Sequence, residues 1–77
     1  MHIKLSEMKI NITGVIKKVQ GSNEIIDKLN ALGIRENIKI TKVSEAFMKG
    51  PIVVRINKME IALGRGMALK VIVETDG

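Results

Sequence analysis

Residues 52–63 read IVVRINKMEIAL, and this stretch decides the fold. Ile52, Val54 and Ile56 alternate with Val53 and Arg55, the period-two pattern of a strand buried on one face. Asn57-Lys58 interrupts the alternation. Asparagine tolerates positive φ, so this pair predicts a two-residue hairpin turn. Met59, Ile61 and Leu63 then form the inward face of a return strand, with Glu60 outward.

The neighbouring segments supply more short strands. In residues 38–43, Ile38 and Ile40 point one way and Lys39 and Thr41 the other. Residues 44–50 predict a loop or an irregular extension that ends before Pro51, the only proline. Residues 14–19 predict a strand entered through a turn at residues 11–14. Residues 69–74 predict a last strand, preceded by a loop at Gly64-Arg65-Gly66 and followed by a frayed end at Thr75-Asp76-Gly77.

One helix interrupts the strands. Ser22 or Asn23 can cap its first turn by accepting an orphan backbone N–H. Glu24 and Asp27 suit the positive end of the helix dipole. Ile25, Leu29 and Leu32, with Ile26 beside them, make an apolar stripe at helical spacing. Gly33 stands where a left-handed residue stops a helix, and Ile34 can fold back on Leu29. The helix is expected over residues 24–32. The fold class is therefore mainly β: a small, nearly closed barrel of about five strands, with one short helix after the first strand.

Composition excludes several functions. The chain has 77 residues, one domain's length, and a thin core in which a deep catalytic pocket is hard to build. Cysteine is absent, which removes disulfides, thiolate zinc sites and a cysteine nucleophile. His2 is the only histidine and reads as a frayed surface residue, because a metal site needs more ligands than it can gather. Ser6, Ser22 and Ser44 have no histidine system to activate them. Gly64-x-Gly66 lacks the strand and helix of a phosphate-binding loop. No catalytic residue, cofactor site or metal site is assigned, and the chain is read as a binding module. No apolar run reaches the roughly 20 residues of a membrane span, and no signal peptide is read at the start. A soluble cytoplasmic domain without membrane insertion is expected.

The net charge is +5, with 13 Lys and Arg against 8 Asp and Glu. A basic nucleic-acid-binding module is one reading of that charge. The lysines are spread along the chain, and Phe47 is the only aromatic, so no stacking platform for bases exists. A solvated lysine-rich surface is the preferred reading, and no nucleic acid is expected.

The order and spacing of several segments resemble the ferrous-iron transport protein A (FeoA) family. They are Leu5-Ser6-Glu7-Met8, Gly14-Val15-Ile16, Leu29-Asn30-Ala31-Leu32-Gly33-Ile34, Gly50-Pro51-Ile52-Val53-Val54-Arg55-Ile56, residues 59–63 and residues 68–74. The resemblance covers nearly the whole chain, residues 1–77 as one domain. It implies an SH3-like barrel and an accessory role in ferrous-iron uptake. The implied partner is the large membrane transporter of that system (FeoB), which carries a GTP-binding domain. The same module also resembles the C-terminal domain of metal-dependent repressors, so such a domain acting alone is an alternative. Three places depart from the family pattern. Gly64-Arg65-Gly66-Met67-Ala68 stands where the family has a basic, helix-like segment, with Arg65 keeping the positive charge and the glycines adding flexibility. Ile10-Asn11 and Glu36-Asn37 stand where the family often has Pro-Gly turns. Asparagine can still turn the chain at both of these turns.

Contact with a partner is assigned to Phe47, Met48, Arg65 and Met67. Loops of small barrels commonly carry binding residues. Phe47 has two readings, a partner anchor or a cover over an open barrel end. Self-association through strand edges is a further reading, since a thin core favours it.

Overall fold

The computed structural model describes residues 1–76. Six strands form one antiparallel sheet in the order β1-β6-β2-β3-β4-β5, curled around a single core. They are β1 (His2–Lys4), β2 (Thr13–Val19), β3 (Lys39–Glu45), β4 (Ile52–Ile56), β5 (Met59–Leu63) and β6 (Val71–Glu74). A 3-10 turn, Leu5–Glu7, follows β1. Helix α1 (Asn23–Ala31) joins β2 to β3, and helix α2 (Arg65–Ala68) joins β5 to β6.

The β4–β5 hairpin forms as its alternation dictates. Ile56 pairs with Met59 across the turn, and Asn57 takes φ 56°. Ile52 and Val54 are fully buried and Ile56 nearly so. Asn11 and Asn37 both adopt φ 71°, so asparagine supplies the left-handed turns at these two positions.

Helix α1 keeps both of its local signals. The Ser22 hydroxyl accepts from the Ile25 N–H at 3.3 Å. At the other end the Ile34 N–H donates to the Leu29 carbonyl and the Gly33 N–H to the Asn30 carbonyl, with Gly33 at φ 92°. These are the paired bonds of a Schellman stop. Leu29 is the helix residue that reaches full burial.

Four expectations are corrected. First, β1 is a strand, so α1 follows the second strand rather than the first. His2 belongs to β1 and faces Glu74 in register, so it is exposed but not frayed. Second, the end of the chain is pinned through Thr75. The Met1 ammonium donates to the Thr75 carbonyl and the Thr75 N–H donates to the Met1 carbonyl, both at 2.9 Å. Gly77 lies outside the described residues. Third, Met59 is 63% exposed instead of core. It sits beside the turn on the edge strand β5, where no further strand covers it.

Fourth, Gly64-Arg65-Gly66 is not a loop. Gly64 caps α2, and its carbonyl accepts from the N–H groups of Met67 and Ala68. Burial of Ala68 and the half-buried Met67 against the core outweighs the weak helix propensity of glycine. A Cβ at Gly66 would meet open space, and its φ is not positive. Gly66→Ala is therefore expected to raise the unfolding free energy by about 0.5–1 kcal/mol in urea titration. An unchanged or lowered midpoint would contradict this account of α2.

Candidate binding surface

The site is built at the far end of the β3–β4 hairpin. β3 carries a bulge: Lys42 pairs with Val54 and Ser44 with Val53, leaving Val43 as the extra residue. In an unbroken strand residues 42 and 45 would face opposite sides. The extra residue reverses that parity, so Lys42 and Glu45 share the inward side with their partners Val54 and Ile52.

Lys42 is 1% exposed. A lysine this deep needs every donor occupied. Its ammonium donates to the Ser6 carbonyl at 3.2 Å and the Met8 carbonyl at 2.7 Å, and pairs with Glu45 Oε1 at 2.5 Å. The other oxygen of Glu45 accepts from Arg65 Nη2 at 3.0 Å. One carboxylate thus joins β3 to the 3-10 turn through Lys42 and to α2 through Arg65. The sequence reading missed Lys42. Its signal was present, since residue 42 continues the Ile38–Ile40 face.

The hydrogen bond from Lys42, then that from Arg65, holds the Glu45 carboxyl below its ordinary value of 4.5. A depressed carboxylate stabilises the fold above its ordinary, unfolded value, and that stabilisation is lost as pH falls through the lower folded value. Glu74, held down chiefly by a hydrogen bond from Lys17, behaves the same way. Thermal midpoints should therefore fall on acidification below about pH 4.5. Glu45→Gln should show a shallower fall over that interval, while its midpoint at pH 7 lies below that of the wild type. Parallel acid profiles for the two proteins would exclude this role for Glu45.

Beyond Glu45 the hairpin narrows to a tip. The Ala46 N–H donates to the Pro51 carbonyl and the Gly50 N–H to the Phe47 carbonyl, which closes a turn over residues 47–50. Its two central residues, Met48 and Lys49, take φ 59° and 60°. Neither is glycine or asparagine, so the turn is strained by on the order of 1 kcal/mol per residue. Phe47 is 95% exposed and Met48 96%. Phe47 therefore does not cover a barrel end. Both residues project from a base fixed by the Lys42–Glu45–Arg65 chain.

Phe47, Met48 and Arg65 line one open depression of about 420 Å³, together with Ile10, Glu45 and Lys49. Met67 is not part of it and packs against the core instead. Arg65 is tied to Glu45, so its guanidinium is a positioned edge of the depression. Among the described residues no group of three or more His, Cys, Asp or Glu side chains is placed to hold a metal ion. No described helix is long and apolar enough to cross a membrane.

A family model described as the FeoA domain matches residues 3–75. No curated protein matches the chain. Solved structures do. A crystal structure of an iron uptake regulatory protein (FeoA) superposes with a TM-score of 0.88 at 28% identity, covering 96% of this chain and 97% of that one. The zinc complex of FeoA from Stenotrophomonas maltophilia, described as a procaryotic SH3 domain protein, gives 0.81 at 25% identity, covering 94% and 89%. A manganese-dependent transcriptional repressor gives 0.89 at 17% identity, a likeness of fold alone. The match covers 96% of this chain and 41% of the repressor.

Proposed function

This chain belongs to the FeoA family, and on that premise we propose that it is a cytoplasmic accessory protein of ferrous-iron uptake. Its task is to bind the GTP-binding membrane transporter of that system and modulate it. The reading is one of binding without catalysis, on a single domain of residues 1–77. The S. maltophilia relative is itself described as possibly acting as a ferrous iron transport activating factor, which supports the assignment.

The observation that carries it furthest is the Phe47–Met48 tip. Two large apolar side chains stand almost wholly in solvent on a strained turn, a placement that contributes nothing to this chain's own core. Strain and exposure together are characteristic of residues retained for a partner. Anchors of this kind fill apolar pockets and dominate interface energies. Lys49 beside the tip favours a pocket with an acidic rim.

The experiment is calorimetric titration of the cytoplasmic GTP-binding domain of the cognate ferrous-iron transporter. Phe47→Ala with Met48→Ala should weaken binding at least tenfold, while thermal stability changes little because neither side chain is buried. Unaltered binding by a folded double variant would remove the tip from the contact. No binding by the wild-type protein, together with normal ferrous-iron uptake in its absence, would end the proposal.

A further inference from the structure

The sheet has two edges, β1 and β5, and they differ. Edge β1 is three residues long, with His2 and Lys4 at its ends. Edge β5, Met-Glu-Ile-Ala-Leu, is five residues long, with no proline and no bulge in its pairing to β4. Its only charge, Glu60, already accepts from Arg55 Nη2 at 2.8 Å. Short length, lysine, proline and bulges are the usual protections of an edge strand, and β5 lacks all four.

The register fixes which backbone groups face outward. A two-residue hairpin closes on a hydrogen-bonded pair, here Ile56 and Met59. Alternation then makes Val54–Ile61 and Ile52–Leu63 the other bonded pairs. The N–H and C=O of Glu60 and Ala62 therefore point away from β4. Among the described residues, no other main-chain group outside the strand ladder bonds to them. Both residues are exposed.

We propose that β5 pairs antiparallel with β5 of a second copy of this chain, about a two-fold axis at Ile61. In that register Glu60 of each copy faces Ala62 of the other. Each pair is of the bonded type and exchanges two N–H···O bonds. Ile61 meets its own counterpart at a non-bonded position, with Cβ atoms about 4.5–5.5 Å apart. The exposed Met59 faces Leu63. Sliding the strands by two residues one way sets Glu60 against Glu60, and the other way runs the pairing off β5 onto Gly64. The sequence thus has one favourable self-complementary register.

A groove lined chiefly by Leu32, Ile38, Ile56, Met59 and Ile61, with Arg35 and Asn57 also in its lining, flanks the same edge, so side-chain burial accompanies the hydrogen bonds. The arrangement is isologous and closes at two copies, because each β5 edge is used once. A contact built on one short strand buries less than ~1,200 Å², so the dimer is transient and concentration-dependent.

The absence of native cysteine makes the test direct. Ile61→Cys places two thiols across the axis. Under mild oxidation it should form a disulfide-linked dimer at least tenfold faster than Lys18→Cys, an exposed control on β2. Adding Ala62→Pro removes one outward N–H from each copy at an edge position where proline is tolerated, and should slow crosslinking at least tenfold. Sedimentation equilibrium of the unmodified chain should show monomer–dimer exchange that Ala62→Pro weakens to the same degree. Crosslinking of Ile61→Cys no faster than the control overturns the pairing. So does a wild-type chain that remains monomeric up to ~1 mM, a concentration that populates even a contact worth about 4 kcal/mol.

Discussion

Lys42→Ala is expected to lower the unfolding free energy by about 3–5 kcal/mol, the range for breaking a buried ion pair from one side. Two causes combine. The Ser6 and Met8 carbonyls lose the ammonium that now satisfies them, and a cavity opens beneath β3. Glu45 contributes less to the loss, since its side chain is 34% exposed and can turn to water. Lys42→Met restores most of the volume without the charge, so its cost should be smaller, about 1–3 kcal/mol. Urea unfolding of the two variants separates the packing cause from the polar one. Hydrogen exchange should also quicken in residues 2–8, because Lys42 fastens that segment to the sheet. Equal stability of Lys42→Ala and wild type would show that the ammonium is not a fastening at all.

Gly14→Ala is the second large effect. Gly14 lies on β2 opposite Ile40, where β6 crosses closely on its other side. A Cβ there would stand 2.4 Å from Val73 Cγ1 and 2.6 Å from the Glu74 carbonyl oxygen. The valine methyl belongs to a packed core residue and the carbonyl to the backbone of β6, so neither can simply rotate aside. Relief requires β6 to move away from β2. We expect a loss of about 3 kcal/mol or more, at the upper end of overpacking substitutions. A chain of this length has on the order of 4–12 kcal/mol in all, so a thermal midpoint lowered by roughly 12–24 °C is the expected observation. A thermal midpoint within a few degrees of wild type would mean that the strands separate there without strain.

What was legible in the sequence was local. The hairpin of residues 52–63 and the stop of α1 at Gly33 depend on neighbours within a few positions, and their patterns are complete in the chain itself. The asparagines at positions 11 and 37 carried their turns for the same reason. What escaped depends on distant partners. β1 is a strand only because β6 lies beside it, about seventy residues on. Lys42 and Glu45 face the same way only because of the bulge at Val43, and nothing in Lys42-Val43-Ser44-Glu45 announces a bulge. Met59 follows the alternation but stands on an edge, and which strand is an edge is a property of the whole sheet. The Phe47–Met48 tip was legible as a loop, whereas the choice between anchor and cover for Phe47 was left open and the fixed base was not seen, since that base joins β3, the 3-10 turn and α2.

The sheet order also has a consequence for how the chain is made. β6 leaves the ribosome after the other five strands, yet it lies between β1 and β2, the first two. Until it arrives, β1 has no neighbour and β2 has one bare side, with Ile16 and Val19 awaiting Val73 and Val71. Synthesis adds about 5–20 residues per second, so the half-built sheet persists for seconds with its central seam open. Folding is then a late, all-at-once event that waits on closure of a loop nearly as long as the chain, and contacts of such sequence separation form slowly. The nascent chain is most vulnerable to aggregation in that interval, and holding that seam closed to other chains would fall to chaperones.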